Sequence, residues 1–356
     1  MTTLFQAFDM SGLRLPNRIV MAPMSRVRSN AEGTATPSMA AYYAQRATAG
    51  LLISEGIQPS LLGQSNPSTP GLYTDAQVES WKPVTAAVHT NGGRIFAQIM
   101  HGGRIGHPDT TGLQPVGPSA VAAREAMVFT PTGPQPAPVP RALSTAEAGQ
   151  EALSYAAAAR RAVEAGFDGV ELHGANGYLI GQFLSNSANH RTDGYGGSIS
   201  GRIRFAAEAV AATVDAVGGA RVGIRLSPGA GIWDAIDDDV PELYGALLAE
   251  LATHDLAYVH LEAATDEETL VGLRRAWPGI MIMNPADPMG ADRADRKAAD
   301  HWLELGADLI SFGRAFIANP DLVERLRADL LLAEADEATY YTGGDDGYLT
   351  YNAYQY

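Results

Sequence analysis

The segment ELHGANGYLIGQF, residues 171–183, places His173, Asn176 and Tyr178 within six positions, directly after a short apolar run. An imidazole and a carboxamide can each donate a hydrogen bond to one oxygen, and a phenol with an ordinary pKa of about 10 keeps its proton at neutral pH. Two donors and a proton source at the end of a buried strand can grip a substrate oxygen and protonate a neighbouring carbon. The tract that follows, Asn186 to Gly201, is long for a mere connection, and long connections in ordered domains tend to be functional.

More candidates stand where other apolar runs end: Pro23, Met24 and Ser25; Gly56; Gln98 with Met100; Arg225; Asn284; and Gly313 with Arg314. Together they make an uncharged hydrogen-bonding rim with two arginines. A metal hydrolase would need converging His and Asp ligands, and no such set occurs, so no metal is expected. Glycoside hydrolysis would need two opposed acids, whereas Glu171 and Glu262 fall inside their runs rather than at the ends. Amide, hydroxyl and guanidinium donors suit a large heteroaromatic cofactor carrying carbonyls and a phosphate.

The elements that must position these groups are legible as alternation. Apolar runs at Arg18–Ala22, Leu51–Glu55, Arg94–Ile99, Gly169–Leu172, Val222–Leu226, Tyr258–Glu262, Ile280–Met283 and Leu309–Phe312 read as strands buried on both faces. Helical patterns follow at Ser38–Thr48, Ala76–Thr90, Thr145–Ala165, Ser200–Val217, Pro241–Thr253, Glu267–Trp277, Ala294–Leu305 and Pro320–Ala333. Asp239 and Asn319 are expected to cap the helices beside them. Eight alternations predict an α/β fold, a (β/α)8 TIM barrel. A doubly wound open sheet is the runner-up, disfavoured because no G-x-G-x-x-G follows the first strand.

Residues 1–356 are expected to form one barrel domain with three additions. Residues 4–17 alternate around Ser11-Gly12 as an N-terminal hairpin, residues 101–144 form a long capping insertion after strand 3, and residues 334–356 form a tail. Eight prolines from Pro108 to Pro140 predict that the insertion is stiff and irregular.

Composition excludes several function classes. There are 25 basic and 40 acidic residues, a net charge of −15 that repels phosphodiester backbones and anionic lipid, so neither nucleic acid nor membrane is an expected partner. No cysteine is present, which removes disulfides, thiolate sites and a Cys nucleophile. No stretch approaches the roughly 20 apolar residues of a membrane span, and a cytoplasmic protein is the expectation. Monomer and homodimer both stay open.

The segments NRIVMAPMSR (17–26), AQIMHGGRIGH (97–107), residues 171–202, GIRLSP (223–228) and SFGRAFIANPDLVERL (311–326) resemble the signature segments of the old yellow enzyme family. The resemblance implies a (β/α)8 barrel with non-covalent FMN, reducing C=C bonds conjugated to a carbonyl or nitro group with NADPH or NADH in two alternating half-reactions. It implies that Ser25 and Gln98 contact the flavin ring, with backbone from Pro23, Met24 and Gly56. Arg225 then stands near flavin N1, and Asn284, Ala286, Gly313 and Arg314 serve the remaining cofactor contacts, phosphate included. It further implies that His173 and Asn176 grip the substrate oxygen, that Tyr178 donates the proton, and that Met100 and Tyr341 line the substrate pocket. A desaturase or oxidase running the same chemistry in reverse is the alternative. Two departures from the family pattern stand out: Met100 occupies a place where an aromatic is frequent, and the tract after strand 7, MNPADPMG, carries extra residues and a proline with no N–H to offer.

Overall fold

In the computed structural model, which describes residues 3–285 and 294–354, eight apolar runs pair in parallel and close into a barrel. They are β1 (Ile19–Met21), β2 (Leu51–Ile57), β3 (Ile95–Ile99) and β4 (Gly169–Gly174), then β5 (Val222–Leu226), β6 (Tyr258–Glu262), β7 (Met281–Asn284) and β8 (Leu309–Phe312). All eight expected strands are present. Every residue in them is buried, which is why the runs are mostly apolar instead of alternating.

Helices between the strands cover the outside. The starts of Asp75–Thr90 and Thr145–Glu164 are fixed by reciprocal capping, Thr74 with Gln77 and Ser144 with Glu147. At the N-terminal end of the barrel, strands Phe8–Met10 and Leu13–Leu15 pair as the expected hairpin. Its Met10 and Leu15 pack against Val20, Leu51, Phe96, Tyr258 and Leu309, plugging the bottom. The open end is therefore the C-terminal one, where barrel enzymes carry their sites.

Three expectations need correction. The insertion is not irregular throughout: Met127–Thr130 pairs antiparallel with Gly133–Pro136, because MVFT alternates exposed and buried residues and the Gly133 turn adopts φ 112. The helical tract expected at Pro320–Ala333 is shorter, Leu322–Arg327; a separate short helix, Arg314–Ala318, precedes it and stops before Pro320, with Asn319 turning its amide back to Ala315 O instead of capping the helix that follows. Asp239 does not cap its helix; its carboxylate pairs with Arg202 instead. Among the described residues, no helix is long and apolar enough to cross a membrane.

Candidate active site

The C-terminal strand ends open into a cavity of about 400 Å³. Of the residues singled out from sequence, Pro23, Ser25, Gln98 and Arg225 share its wall with His173, Asn176 and Tyr178, and Met100 and Tyr341 complete it. Period-two geometry explains how the barrel delivers them: Glu171 and His173 are two apart on β4 and point to one face, as do His260 and Glu262 on β6. The register then sets Gln98 beside Glu171 and His173 beside Arg225.

Met24, Gly56, Asn284, Gly313 and Arg314 are not among the residues of this lining. A side chain at Gly56 would meet the Met100 thioether at 2.7 Å, so the glycine is what lets Met100 lie across β2. Gly313 follows β8, near the Met24 sulfur, and opens the short helix that begins at Arg314. Asn284 is the last residue of β7, and Ala286 lies outside the described residues.

His173 is buried, and desolvation, reinforced by the nearby Arg225 charge, holds its pKa well below the usual imidazole value. The ring is therefore neutral at physiological pH. Gln98 Nε2 lies 3.3 Å from His173 Nδ1, and an amide N–H donating there leaves the imidazole proton on Nε2. Burial pushes the Tyr178 phenol up to about 12, and the neighbouring Tyr341 adds to the shift, so it too stays protonated. Asn176 sits at φ 56, its N–H donating to Ser227 Oγ at 2.8 Å.

Glu262, read from sequence as internal to its strand, closes β6 and reaches the site. Its Oε1 accepts from Arg225 Nη2 and lies 3.5 Å from Asn176 Nδ2. Arg225 Nε, Asn176 Oδ1 and Glu262 Oε2 are buried without a protein partner. Buried polar atoms are nearly always paired, and orphaned donors and acceptors beside one cavity fit a bound ring that carries both kinds of group. The residues present thus suit a flavin.

Sequence reading missed several contributors to the lining, among them Trp233 and the insertion hairpin. Trp233 projects into the cavity from the β5–helix loop at φ 54, with its carbonyl held by the buried Arg104 at 2.9 Å. Val128 and Phe129 come from the insertion hairpin. The only advance signals were the glycine-flanked GIWD and the short alternation in MVFT, both weak.

A closed barrel whose C-terminal rim combines a hydroxyl, an amide and a guanidinium with a histidine–asparagine–tyrosine set defines a class, the flavin-dependent barrel oxidoreductases. The chain belongs to the NADH:flavin oxidoreductase / NADH oxidase family, the old yellow enzyme family, whose pattern matches residues 3–332. It is 40% identical over 345 residues to 12-oxophytodienoate reductase 1 of Oryza sativa subsp. japonica, covering 95% of this chain and 90% of the relative. It is 39% identical over 350 residues to a probable flavin mononucleotide-dependent alkene reductase of Leishmania infantum, covering 96% and 94%. Morphinone reductase in complex with tetrahydroNAD superposes with a TM-score of 0.95 at 40% identity, covering 100% of this chain and 98% of that one. An old yellow enzyme homologue from Zymomonas mobilis gives 0.94 at 38%, covering 99% and 100%.

Proposed function

We propose that this enzyme uses FMN and NADH or NADPH to reduce alkenes conjugated to a carbonyl or nitro group. The observation that carries the reading is the meeting of a neutral imidazole, a carboxamide and a phenol in one cavity whose wall also carries Ser25, Gln98 and Arg225. The names of the similar reductases support the same reaction class. FMN, when bound, supplies the hydride relay between the nicotinamide and the alkene.

The chain's own groups do the rest. Ser25 and Gln98 hydrogen-bond the ring edges, with backbone from Pro23, Met24 and Gly56. Arg225 would supply the positive charge that stabilises the reduced, anionic ring. Gly313, Arg314 and Asn284 would serve the phosphate side, a role that the family resemblance also gives Ala286. His173 Nε2–H and Asn176 Nδ2–H hold the substrate oxygen where enolate charge develops, each donor contributing roughly 3–4 kcal/mol. Tyr178 gives its proton to the α carbon. Met100 and Tyr341 shape the space around the alkene.

The test is an anaerobic one. FMN-loaded protein should be yellow, lose its colour on addition of NADH or NADPH, and regain it when 2-cyclohexenone is added, with cyclohexanone as product. Colour that returns only with oxygen, or oxygen uptake driven by a saturated ketone, would contradict the reading.

A further inference from the structure

A chain of buried polar groups leads to Gln98 and His173 from Ser311, His260 and Glu171, three residues that the proposed chemistry does not use. Ser311 Oγ lies 2.8 Å from His260 Nε2, and His260 Nδ1 lies 2.8 Å from Glu171 Oε2. Glu171 Oε1 is 2.8 Å from Gln98 Nε2, which in turn is 3.3 Å from His173 Nδ1. Ser311, His260 and Glu171 are 0% exposed, and Gln98 and His173 are 3% exposed. Serine, histidine and glutamate in this order carry the groups of a hydrolytic triad, but no substrate can reach a hydroxyl with no accessible surface.

The directions of these bonds follow from the chemistry of each group. Burial lowers the His260 pKa, so the ring is neutral and has a single N–H. A carboxylate only accepts, which places that N–H on Nδ1 and leaves Nε2 to accept the Ser311 hydroxyl. The other Glu171 oxygen accepts from the Gln98 amide. Reversing a link would set two donors or two acceptors face to face in a dry interior. Gln98 is thereby held with its NH2 turned inward, reaching both Glu171 and His173, and with its carbonyl oxygen left for the cavity.

We infer that Glu171 and His260 are positioning residues: through Gln98 they fix which end of its amide faces the cofactor and which nitrogen of His173 carries the proton. The inference rests on the flavin reading above, in which Gln98 meets a ring edge bearing both N–H and C=O. The amide sense then decides whether a hydrogen bond forms or like groups collide. The same chain gives His173 an N–H to offer the substrate oxygen.

Nitrogen-15 NMR of the histidine rings in FMN-loaded protein reads the tautomers directly. The expected result is Nδ1–H at His260 and Nε2–H at His173; an Nδ1–H tautomer at His173 would overturn the inference. Glu171→Leu removes the acceptor. It should weaken FMN binding by at least about tenfold, the cost of an unpaired buried donor, shift the flavin absorption bands, and mix the His173 tautomers. Glu171→Gln keeps one acceptor oxygen for Gln98 and should recover most of that affinity. Unchanged affinity, spectrum and tautomers in Glu171→Leu would reduce the chain to core packing. If Glu171→Leu does not fold, the wild-type tautomers still decide. Failure of the wild-type protein to bind FMN would instead sink the functional reading, while the tautomers of the cofactor-free protein still test the chain.

Discussion

The His173 and Tyr178 rings stand 5.2 Å apart, with their planes inclined at 46°. Asn176 at φ 56 and Gly177 at φ 68 bend the chain back on itself to bring them together. A β carbon at Gly177 would fall 2.3 Å from Ile232 O, so the turn requires glycine both for its left-handed backbone and for the close approach. The proposed oxygen grip and the proposed proton donor therefore occupy one wall, and their spacing is set by backbone rather than by flexible side chains.

Removing either oxygen-gripping group should be costly. His173→Ala and Asn176→Ala are each expected to lower the rate of alkene reduction by about 10²–10³, as loss of an oxyanion-hole donor does elsewhere. Steady-state kinetics with 2-cyclohexenone checks this, and a loss below about threefold would remove the residue from that role.

The pH response should be flat where most enzymes show a bell. His173 is held well below the ordinary imidazole range and Tyr178 is pushed up to about 12, so neither changes charge near neutrality. The alkene half-reaction, followed by stopped flow between about pH 6 and about pH 9, should vary little. A steep limb inside that window would show that another group supplies or holds the proton.

The architecture was largely legible, and the reason is physical. Strands buried on both faces are mostly apolar, so RIVMA, VGIRL and LISF announce themselves without context. His173, Asn176 and Tyr178 were legible because the tight turn packs all three into one short stretch. What tertiary contacts decide was not legible. Asp239 has the sequence of a cap, but Arg202 takes its carboxylate. Trp233 enters the cavity only because Arg104 and the Gly177 turn hold its loop there. Glu171 and His260 look like isolated polar interruptions of apolar strands until the β3–β4 and β5–β6 pairings show their neighbours.

Glu55 gives a stability prediction with a definite sign. Burial raises its pKa from 4.5 to about 7, against the opposing hydrogen bond from the Arg26 N–H. Between those values the folded state binds more protons than the unfolded one, so this residue's contribution is present below about pH 4.5 and is lost as pH rises through about 7. Glu55→Gln has nothing to titrate. Its Tm relative to the parent should rise between pH 5 and pH 8, by the equivalent of up to about 3 kcal/mol. A difference that does not change with pH would contradict the assignment.

Arg28 ties the C-terminal tail over the cavity. Its guanidinium donates to Thr339 O at 2.8 Å, Tyr340 O at 2.9 Å and Gly344 O at 3.0 Å, and also to Thr342 O. Tyr348 beneath it stacks on Tyr42 with centroids 4.2 Å apart. Arg28→Ala leaves several part-buried carbonyls unpaired and should cost about 2–4 kcal/mol. Because Tyr341 and Thr342 line the cavity, the variant should raise the alkene KM several-fold and expose the tail to proteolysis. Unchanged KM together with a protease-resistant tail would show that the tail is held elsewhere.

The most direct measurement separates the two half-reactions in Tyr178→Phe, which removes only the phenolic oxygen. Anaerobic stopped flow should find cofactor reduction by NADH or NADPH at the parental rate, and the subsequent reduction of 2-cyclohexenone slowed by about 10²–10⁴, the range for loss of a general acid. Equal slowing of both steps, or of neither, would mean that Tyr178 is not the group that delivers the proton.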